Sequence, residues 1–354
     1  MNTILILFGG KSSEYEVSLS SATGAIRNVD ASRWNILLAG ITRDGRFYLY
    51  EDDVARIAED SWESGKKAPL SLDLAAGALS VRRENGPEVL HVDAVLPMIH
   101  GKFCEDGTLQ GMFAVAGIPV IGCDCQSSAV CMDKAVAKRL LAASPKTEAI
   151  RQAKMIVVRA EDVKREDDLA ALRKECESAF PYPMFVKPSR AGSSVGVTKV
   201  KSPEAFAEAV RRALAEDSKV LIEEGVRGTE IEVAVLEEKG RYTVAHPAEI
   251  DPGSAEFYDY ETKYVSDASM FWLPARLSEA EQDRVRGYAE AIFRELDCRG
   301  LARVDFFHTE AGEFVFNEIN TLPGFTPISM YPKMMVNEGI PYGEILDRLM
   351  EGAL

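Results

Sequence analysis

The feature that most constrains the fold is a pair of strand-like segments that flank a turn at residues 311–312. If the hairpin is symmetric about this turn, Asp305 lies opposite Glu318 and Arg303 lies opposite Asn320. Because side chains alternate along a strand, these four residues share one face of the hairpin. A three-residue loop would shift the pairing by one position, so this register is a hypothesis.

The acidic face of this hairpin requires partners for its charges. Two carboxylates that lie close together repel each other unless a cation intervenes. The apolar neighbours Val304, Phe306, Phe314 and Phe316 predict that the strands are buried, and buried acids need partners. Oxygen donors from Asp, Glu and Asn suit Mg²⁺, which commonly also binds substrate phosphates. The alternative is an ordinary hairpin with a solvated polar face, and these residues alone leave both interpretations open.

A second informative segment places Lys187 at the end of an apolar strand, directly before a glycine- and serine-rich loop at residues 189–196. Such a loop allows backbone N–H groups to approach an anion closely. It is not a Walker A loop, because no Gly-Lys-Ser/Thr sequence follows. Lys134 opens a helix further upstream. A phosphate site is one interpretation of these lysines, and an ordinary turn with a solvated lysine is the other.

The N-terminal segment runs from a buried strand through Gly9-Gly10 into a helix. Ser13 and Glu16 fit a capping box at the start of that helix, which leaves Glu14 available. A helix start of this kind is also a site for a ligand carboxylate, and plain capping is the alternative. The segment lacks the G-x-G-x-x-G pattern of a dinucleotide-binding fold.

Strand-like and helix-like segments alternate along the chain, which predicts a layered α/β protein with parallel strands in the first 120 residues. At 354 residues the chain is too long for one ordinary core, so two or three domains are expected. Residues 51–90 are polar and weakly patterned, and we interpret them as surface elaboration. The predicted helices span residues 18–29, 108–116, 132–143, 203–215, 278–296 and the region near 342–350.

Composition argues against several classes of function. A net charge of −15 disfavours nucleic-acid binding, which needs clustered Lys and Arg. There is no apolar run of about 18 residues, so no membrane span is expected. The N-terminus lacks the basic flank of a signal peptide. The six cysteines show no metal-finger spacing and are expected to be free thiols in a reducing cytoplasm.

Taken together, these segments resemble the D-alanine–D-alanine ligase family of ATP-grasp enzymes over nearly the whole chain. The resemblance implies an α/β ATP-grasp fold with three α/β domains at residues 1–122, 123–222 and 223–354, the first of them Rossmann-like and preceding the two ATP-grasp domains. Any one motif is weak, whereas six in the family's order are specific. These motifs are Phe8-Gly9-Gly10-x-Ser12-x-Glu14-x-Glu16-Val17-Ser18, His100-Gly101-x-x-x-Glu105-Asp106-Gly107-Thr108-x-Gln110-Gly111, Met132-Asp133-Lys134, Val186-Lys187-Pro188 with Gly192-Ser193-Ser194-Val195-Gly196, Phe257-Tyr258-Asp259-Tyr260-Glu261-x-Lys263-Tyr264, and Asn317-Glu318-x-Asn320-Thr321-x-Pro323-Gly324-Phe325-Thr326.

The resemblance also implies a role for each matching residue. Two Mg²⁺ ions, with Mn²⁺ able to substitute, would be held by Asp305, Glu318 and Asn320. ATP would be bound by Lys134, Lys187, Ser194, Glu223, Glu224, Val226 and Glu230. The substrates would be met by Glu14, His100, Ser329 and Met330. Catalysis would involve Glu14, Ser193, Tyr264, Lys263, Arg303 and the backbone of Gly324.

The implied reaction is ATP-dependent formation of D-alanyl-D-alanine through a D-alanyl phosphate, for peptidoglycan precursor synthesis. Met330 and Tyr264 favour D-alanine as the second substrate, whereas residues 118–124 and 41–43 resemble relatives that use D-serine. D-alanine–D-serine and D-alanine–D-lactate ligases are therefore the alternatives within the class. A non-catalytic nucleotide-binding protein is a remote alternative, disfavoured by the intact lysines and acids. No nucleic-acid or membrane partner is expected, and the family suggests a homodimer.

Overall fold

The structure is a computed structural model that describes residues 1–251, 270–326 and 328–354. Within these ranges the strands form three sheets, each covered by helices. This arrangement confirms the layered α/β organisation. Among the described residues, no helix has the length and apolar character needed to cross a bilayer.

The N-terminal region contains a mixed sheet in which the first strand of the chain is buried from Ile4 to Gly9 between two neighbouring strands. Its elements are β1 (Thr3–Gly9), α1 (Tyr15–Asn28), β2 (Asn35–Ile41), β3 (Phe47–Tyr50), α2 (Ala55–Ala58), β4 (Lys67–Asp73), β5 (Ala78–Arg83), β6 (Gly86–Leu90), β7 (Ala94–Pro97) and α3 (Thr108–Val115). The strand order is β6-β5-β4-β3-β2-β1-β7. As predicted, β1 pairs in parallel with both β2 and β7.

Residues 51–90 belong to the sheet and its core, so their interpretation as surface elaboration is wrong. Strands β4, β5 and β6 extend the sheet by antiparallel pairing from β3. The Trp62 ring is fully buried and packs edge-on against Phe8, with 5.1 Å between ring centroids. Leu79 and Val81 are buried while the residues between and after them are more exposed. The segment is polar in composition because only alternate strand residues face the core.

The central region holds a four-stranded antiparallel sheet. The elements from residue 125 to residue 224 are α4 (Cys125–Met132), α5 (Lys134–Ala143), β8 (Arg151–Gln152), β9 (Met155–Arg159), α6 (Glu166–Ala179), β10 (Met184–Pro188), β11 (Thr198–Val200), α7 (Phe206–Glu216) and β12 (Lys219–Glu224). The strand order of the sheet is β11-β10-β12-β9. The helix predicted at residues 132–143 begins only at Lys134. Asp133 interrupts it because its carboxylate caps the new helix, accepting from the Val136 N–H at 3.2 Å.

The C-terminal region carries the acidic hairpin in the middle of its sheet. Its elements are β13 (Thr229–Glu238), β14 (Arg241–Val244), β15 (Ala248–Asp251), β16 (Met270–Trp272), α8 (Glu279–Glu295), β17 (Leu301–His308), β18 (Phe314–Asn320), α9 (Met330–Asn337) and α10 (Tyr342–Ala353). The main strand order is β16-β15-β13-β17-β18-β8, and β14 also pairs with β13. The hairpin strands β17 and β18 are thus flanked on both sides by other strands.

Some of the hydrophobic cores include residues from more than one of these regions. One core joins Ile6 of β1 to Ala234 of β13 and Leu346 of α10. A second core packs Leu141 of α5 against the C-terminal sheet, whereas β10 and β12 share a separate core with α6 and α7. The division of the chain at residues 122 and 222 stays a prediction.

Candidate active site

The acidic hairpin has the predicted pairing at the site. Asp305 lies opposite Glu318, and Arg303 lies opposite Asn320. Nearer the turn the pairing is shifted by one position, and a β-bulge after Asp305 absorbs the difference. Asn317 is the additional residue of this bulge, and a bulge re-aims the side chain it carries. Its Oδ1 accepts a hydrogen bond from the Lys187 ammonium group at 3.3 Å.

Asp305 is fully buried, and its carboxylate accepts hydrogen bonds from two side chains. The Arg303 guanidinium donates to its two carboxylate oxygens, from Nε at 2.8 Å and from Nη2 at 2.7 Å. The Asn320 amide donates to Oδ2 at 3.0 Å. Glu232, also fully buried, lies opposite Asp305 on β13 and 3.2 Å from the Arg303 guanidinium. Arg303 is therefore the cation that neutralises this part of the site.

The second carboxylate of the hairpin has a cationic partner of its own. The Lys134 ammonium lies 3.1 Å from the Glu318 carboxylate. Lys134 also donates to the Ala191 carbonyl at 2.9 Å, which ties the start of α5 to the glycine-serine loop. The oxygen donors of Asp305, Glu318 and Asn320 fit a hard divalent cation in chemistry. A further oxygen cluster joins Asp305 to Glu230 and Glu232, within 4.8 Å of one another.

A cavity of about 830 Å³ lies between the central and C-terminal sheets. It brings together all the residues expected to bind ATP, together with Ser193 and Glu318 of the expected catalytic and metal sites. The expected ATP residues on its wall are Lys134, Lys187, Ser194, Glu223, Glu224, Val226 and Glu230. Glu318 and Asn320 also line an adjoining small cleft with Glu105 and Gly192. Cations thus stand beside carboxylates at one end of the cavity.

A buried cluster of one acid and two lysines lies on the cavity wall. Lys138 and Glu223 are 1% and 4% exposed in their side chains and form an ion pair, and Lys187 lies 2.5 Å from the other Glu223 oxygen. Burial lowers the pKa of Lys138, and attraction to Glu223 partly offsets this decrease. Burial by itself raises the pKa of Glu223, but the two ammonium groups bring it below its usual value. Lys138 was missed in the sequence, although its spacing of four from Lys134 places both on one helix face.

The glycine-serine loop between β10 and β11 adopts strained backbone conformations. Ser193 and Ser194 have φ of 47° and 57°, a left-handed region that non-glycine residues seldom occupy. Gly196 has φ of 74°, and a Cβ there would lie 2.9 Å from side-chain atoms of Glu216 and Pro188. Strain of this size persists only where the surroundings hold the backbone in place. Gly192, Ser193 and Ser194 of this loop line the cavity, and backbone N–H groups of a loop with such conformations are able to bind an anion.

Glu14 joins this loop to the N-terminal region. Its carboxylate accepts from the Ser193 hydroxyl at 2.5 Å. A Cβ at Gly101 would lie 2.4 Å from Glu14 Oε2 and would displace that carboxylate, and the φ of 76° at Gly101 also favours glycine. Ser12 fixes the Glu14 backbone by accepting from its N–H at 3.2 Å and donating to the His100 carbonyl at 2.6 Å. Glu14 is buried at this junction.

The predicted capping box at the start of α1 is wrong. Glu14 occupies the N-cap position and its side chain makes no capping hydrogen bond. Glu16 instead pairs with Arg43 at 2.7 Å on the surface. The close contacts of Glu14 with Ser193 and Gly101 override the local preference for a Ser13 cap.

Glu105 lies at the same junction, and the sequence alone predicts no role for it. Burial, with the nearby Glu14 carboxylate adding to it, raises the pKa of Glu105 well above its usual value. Its only sequence signal was its place in the motif that begins at His100.

The remaining expected site residues are more dispersed. Ser329 precedes α9 and its hydroxyl lies 2.8 Å from that of Thr326, while Met330 is buried in the first turn of that helix. The His100 ring is buried and bonded to protein groups through both nitrogens. Gly324 is the partly exposed residue of a loop after β18. Lys263 and Tyr264 lie outside the described residues.

Comparison with solved structures agrees with this architecture. The D-Ala:D-Ser ligase VanG from Enterococcus faecalis superposes with a TM-score of 0.89 at 37% identity, covering 100% of this chain and 99% of that one. A D-alanine-D-alanine ligase from Coxiella burnetii gives 0.84 at 32% identity, covering 99% of this chain and 93% of that one. The fold and the cavity between the central and C-terminal sheets therefore define an ATP-grasp ligase.

Family and sequence comparisons make the assignment more specific. Residues 3–123 match the D-ala D-ala ligase N-terminus family, and residues 145–351 match the D-ala D-ala ligase C-terminus family. D-alanine–D-alanine ligases from Caldicellulosiruptor bescii and Ruminiclostridium cellulolyticum are 39% and 42% identical, covering 99% and 98% of this chain and 94% of each relative. The chain belongs to the D-alanine–D-alanine ligase family, and it is an enzyme.

Proposed function

We propose that this chain joins two molecules of D-alanine into D-alanyl-D-alanine at the expense of ATP, for the synthesis of peptidoglycan precursors. The observation that carries the proposal is the position of Lys134 at the junction of three elements. Lys134 contacts Glu318 of the acidic hairpin and Ala191 of the glycine-serine loop. Ser193 of the same loop donates a hydrogen bond to Glu14. The nucleotide cavity therefore ends where the N-terminal region presents a carboxylate.

The first chemical step activates a carboxylate. An oxygen of the first D-alanine attacks the γ-phosphorus of ATP, the bond to the bridging oxygen breaks, and ADP leaves an acyl phosphate behind. Lys134 and Lys187 would offset the negative charge of the phosphates. Glu14 would hold the ammonium group of the first D-alanine, oriented by Ser193.

The second step forms the peptide bond. The amine of the second D-alanine attacks the acyl carbon, its proton is lost, and inorganic phosphate leaves from the tetrahedral intermediate. Arg303 and the Gly324 N–H would stabilise the oxyanion of that intermediate. Asp305, Glu318 and Asn320 would hold Mg²⁺, which when bound neutralises phosphate charge. Two ions, replacement by Mn²⁺, a cytoplasmic location and a homodimer belong to the same proposal.

The remaining residues have the roles that the family resemblance implies. Ser194, Glu224, Val226 and Glu230 would contact the nucleotide, beside the buried Glu223. Ser329 and Met330 would meet the second substrate. Lys263 and Tyr264 would complete the site from a segment outside the described residues.

A D-alanine–D-serine ligase is the second candidate, favoured by the likeness to the Enterococcus faecalis structure. ADP release measured with D-alanine alone, and then with D-serine or D-lactate added, separates the two. We expect turnover with D-alanine alone and D-alanyl-D-alanine as the product identified by mass spectrometry. Turnover that requires D-serine would assign the second function instead, and no ADP release under any of these conditions would refute both.

A further inference from the structure

Two buried side chains of the N-terminal region form hydrogen bonds with the backbone of a loop in the C-terminal region. Ser21 lies on α1 and is fully buried, and His100 follows β7 and is 4% exposed. His100 Nε2 lies 2.8 Å from the Ser21 hydroxyl, and His100 Nδ1 lies 2.9 Å from the Leu322 carbonyl oxygen. The Ser21 hydroxyl in turn accepts from the Phe325 N–H at 3.2 Å.

The Leu322 carbonyl determines the direction of each hydrogen bond in the series that runs through His100 and Ser21 to Phe325. A carbonyl oxygen only accepts, so His100 Nδ1 must carry the proton toward Leu322. Nε2 of the neutral ring then accepts from the Ser21 hydroxyl, whose oxygen remains available for the Phe325 N–H. Burial lowers the pKa of His100 and so favours the neutral ring, although the Glu14 carboxylate partly opposes this effect. Both ring nitrogens of His100 are occupied in this arrangement.

The two anchors lie on either side of Gly324. Leu322 is held through its carbonyl and Phe325 through its N–H, while the Tyr342 hydroxyl bonds to the Phe325 carbonyl. Leu322 and Phe325 are buried, and Gly324 between them is partly exposed. A backbone N–H at such a position is useful to an oxyanion only if the loop cannot drift, since displacements of about 1 Å are expensive in catalysis.

We propose that Ser21 and His100 are positioning residues that hold the Leu322–Phe325 loop so that the Gly324 N–H faces the oxyanion that forms on the reacting acyl group. Neither side chain needs to touch substrate for this role. The inference rests on the proposed function only for the part that concerns Gly324 and the oxyanion. The positioning of the loop itself stands on the hydrogen bonds alone.

Ser21→Ala tests the inference, with Thr23→Ala as the matched control on the same helix. Thr23 is also buried, but among the described residues its hydroxyl bonds only to the Leu19 carbonyl of its own helix. Two quantities are measured on the full chain: amide hydrogen exchange of a peptide that covers residues 322–326, and kcat and KM for ADP release with D-alanine. For Ser21→Ala we expect faster exchange and a kcat lowered about 10-fold or more, with the KM for ATP unchanged. Thr23→Ala is expected to change none of these.

His100→Asn provides a second variant if Ser21→Ala does not fold. Its amide N–H is able to replace Nδ1–H toward Leu322, but no acceptor then faces Ser21, so the same two changes are expected. Exchange that equals wild type in both variants would overturn the positioning role. Faster exchange with an unaltered kcat would overturn its catalytic importance. A wild-type chain that releases no ADP with D-alanine would instead refute the proposed function, and the exchange measurement would still decide the positioning.

Discussion

Lys138 and Glu223 form an ion pair in which both side chains are almost wholly buried, on the wall of the cavity between the central and C-terminal sheets. Removing one partner of a buried pair leaves the other charge in an apolar setting. Lys187 also contacts Glu223, so part of the neutralisation survives. The pair therefore contributes to both stability and the shape of the cavity.

Lys138→Met is expected to lower the free energy of unfolding by about 3 kcal/mol, the lower end for a broken buried pair, because Lys187 remains. Urea denaturation measures this value. The exposed Lys146, whose ammonium lies 3.7 Å from Glu295, provides the control, and Lys146→Met should change the free energy by less than about 0.5 kcal/mol. Equal effects of the two substitutions would show that the buried pair has no special weight.

Asp305→Asn should lower turnover by roughly 100-fold, because the divalent ion and Arg303 both lose a full negative charge beside the phosphates. ADP release measured across a Mg²⁺ titration checks this expectation. Asp297→Asn is the matched control: this exposed residue has φ of 52°, a conformation that Asn also tolerates. Near-normal Mg²⁺-dependent turnover in Asp305→Asn would remove the hairpin from the metal site.

Ser193→Ala removes the hydroxyl that donates to Glu14 at 2.5 Å. A hydrogen bond to a charged group contributes about 1.5 kcal/mol or more, so we expect the KM for the first D-alanine to rise about 10-fold. Steady-state kinetics with varied D-alanine give the value. Ser178→Ala is the control, since within the described part of the chain the Ser178 hydroxyl donates only to the Lys174 carbonyl of α6. An unchanged KM in Ser193→Ala would mean that Glu14 is oriented without this contact.

Glu249 gives the protein an acid-dependent contribution to stability. Hydrogen bonds from Arg276 lower the pKa of Glu249 from its usual 4.5, with burial opposing them. Because the folded-state pKa lies below the unfolded value, the stabilisation is fully present above about pH 4.5 and is lost as the pH falls through the folded-state pKa.

We therefore expect the free energy of unfolding to fall less steeply below this pH in Glu249→Gln than in the wild type. Chemical denaturation at a series of acid pH values measures the slope. The exposed Glu148 supplies the control, and Glu148→Gln should keep the wild-type slope. Identical slopes in Glu249→Gln and the wild type would argue that this carboxylate titrates normally in the folded chain.

The order of helices and strands could be read from local patterns, because periodicity reflects which residues face a core. The prediction that residues 51–90 are surface elaboration is wrong because about half of each strand there is polar and exposed. The register at Asp305 was predicted from a turn centred on residues 311–312, yet the pairing near the turn is shifted. The bulge at Asn317 restores it, and a bulge depends on packing against the neighbouring strands.

The sequence by itself determined which elements form, which side chains carry charge and which motifs place the chain among its relatives. Only the tertiary structure decided which cation meets which carboxylate. Lys138 is four residues from Lys134, yet Lys138 pairs with Glu223 and Lys134 with Glu318. Such pairings join residues far apart in the chain. When a pair is buried, the distance between its two charges decides whether their attraction offsets the cost of removing them from water. Local sequence holds no record of those distances, because they arise only when the three sheets pack together.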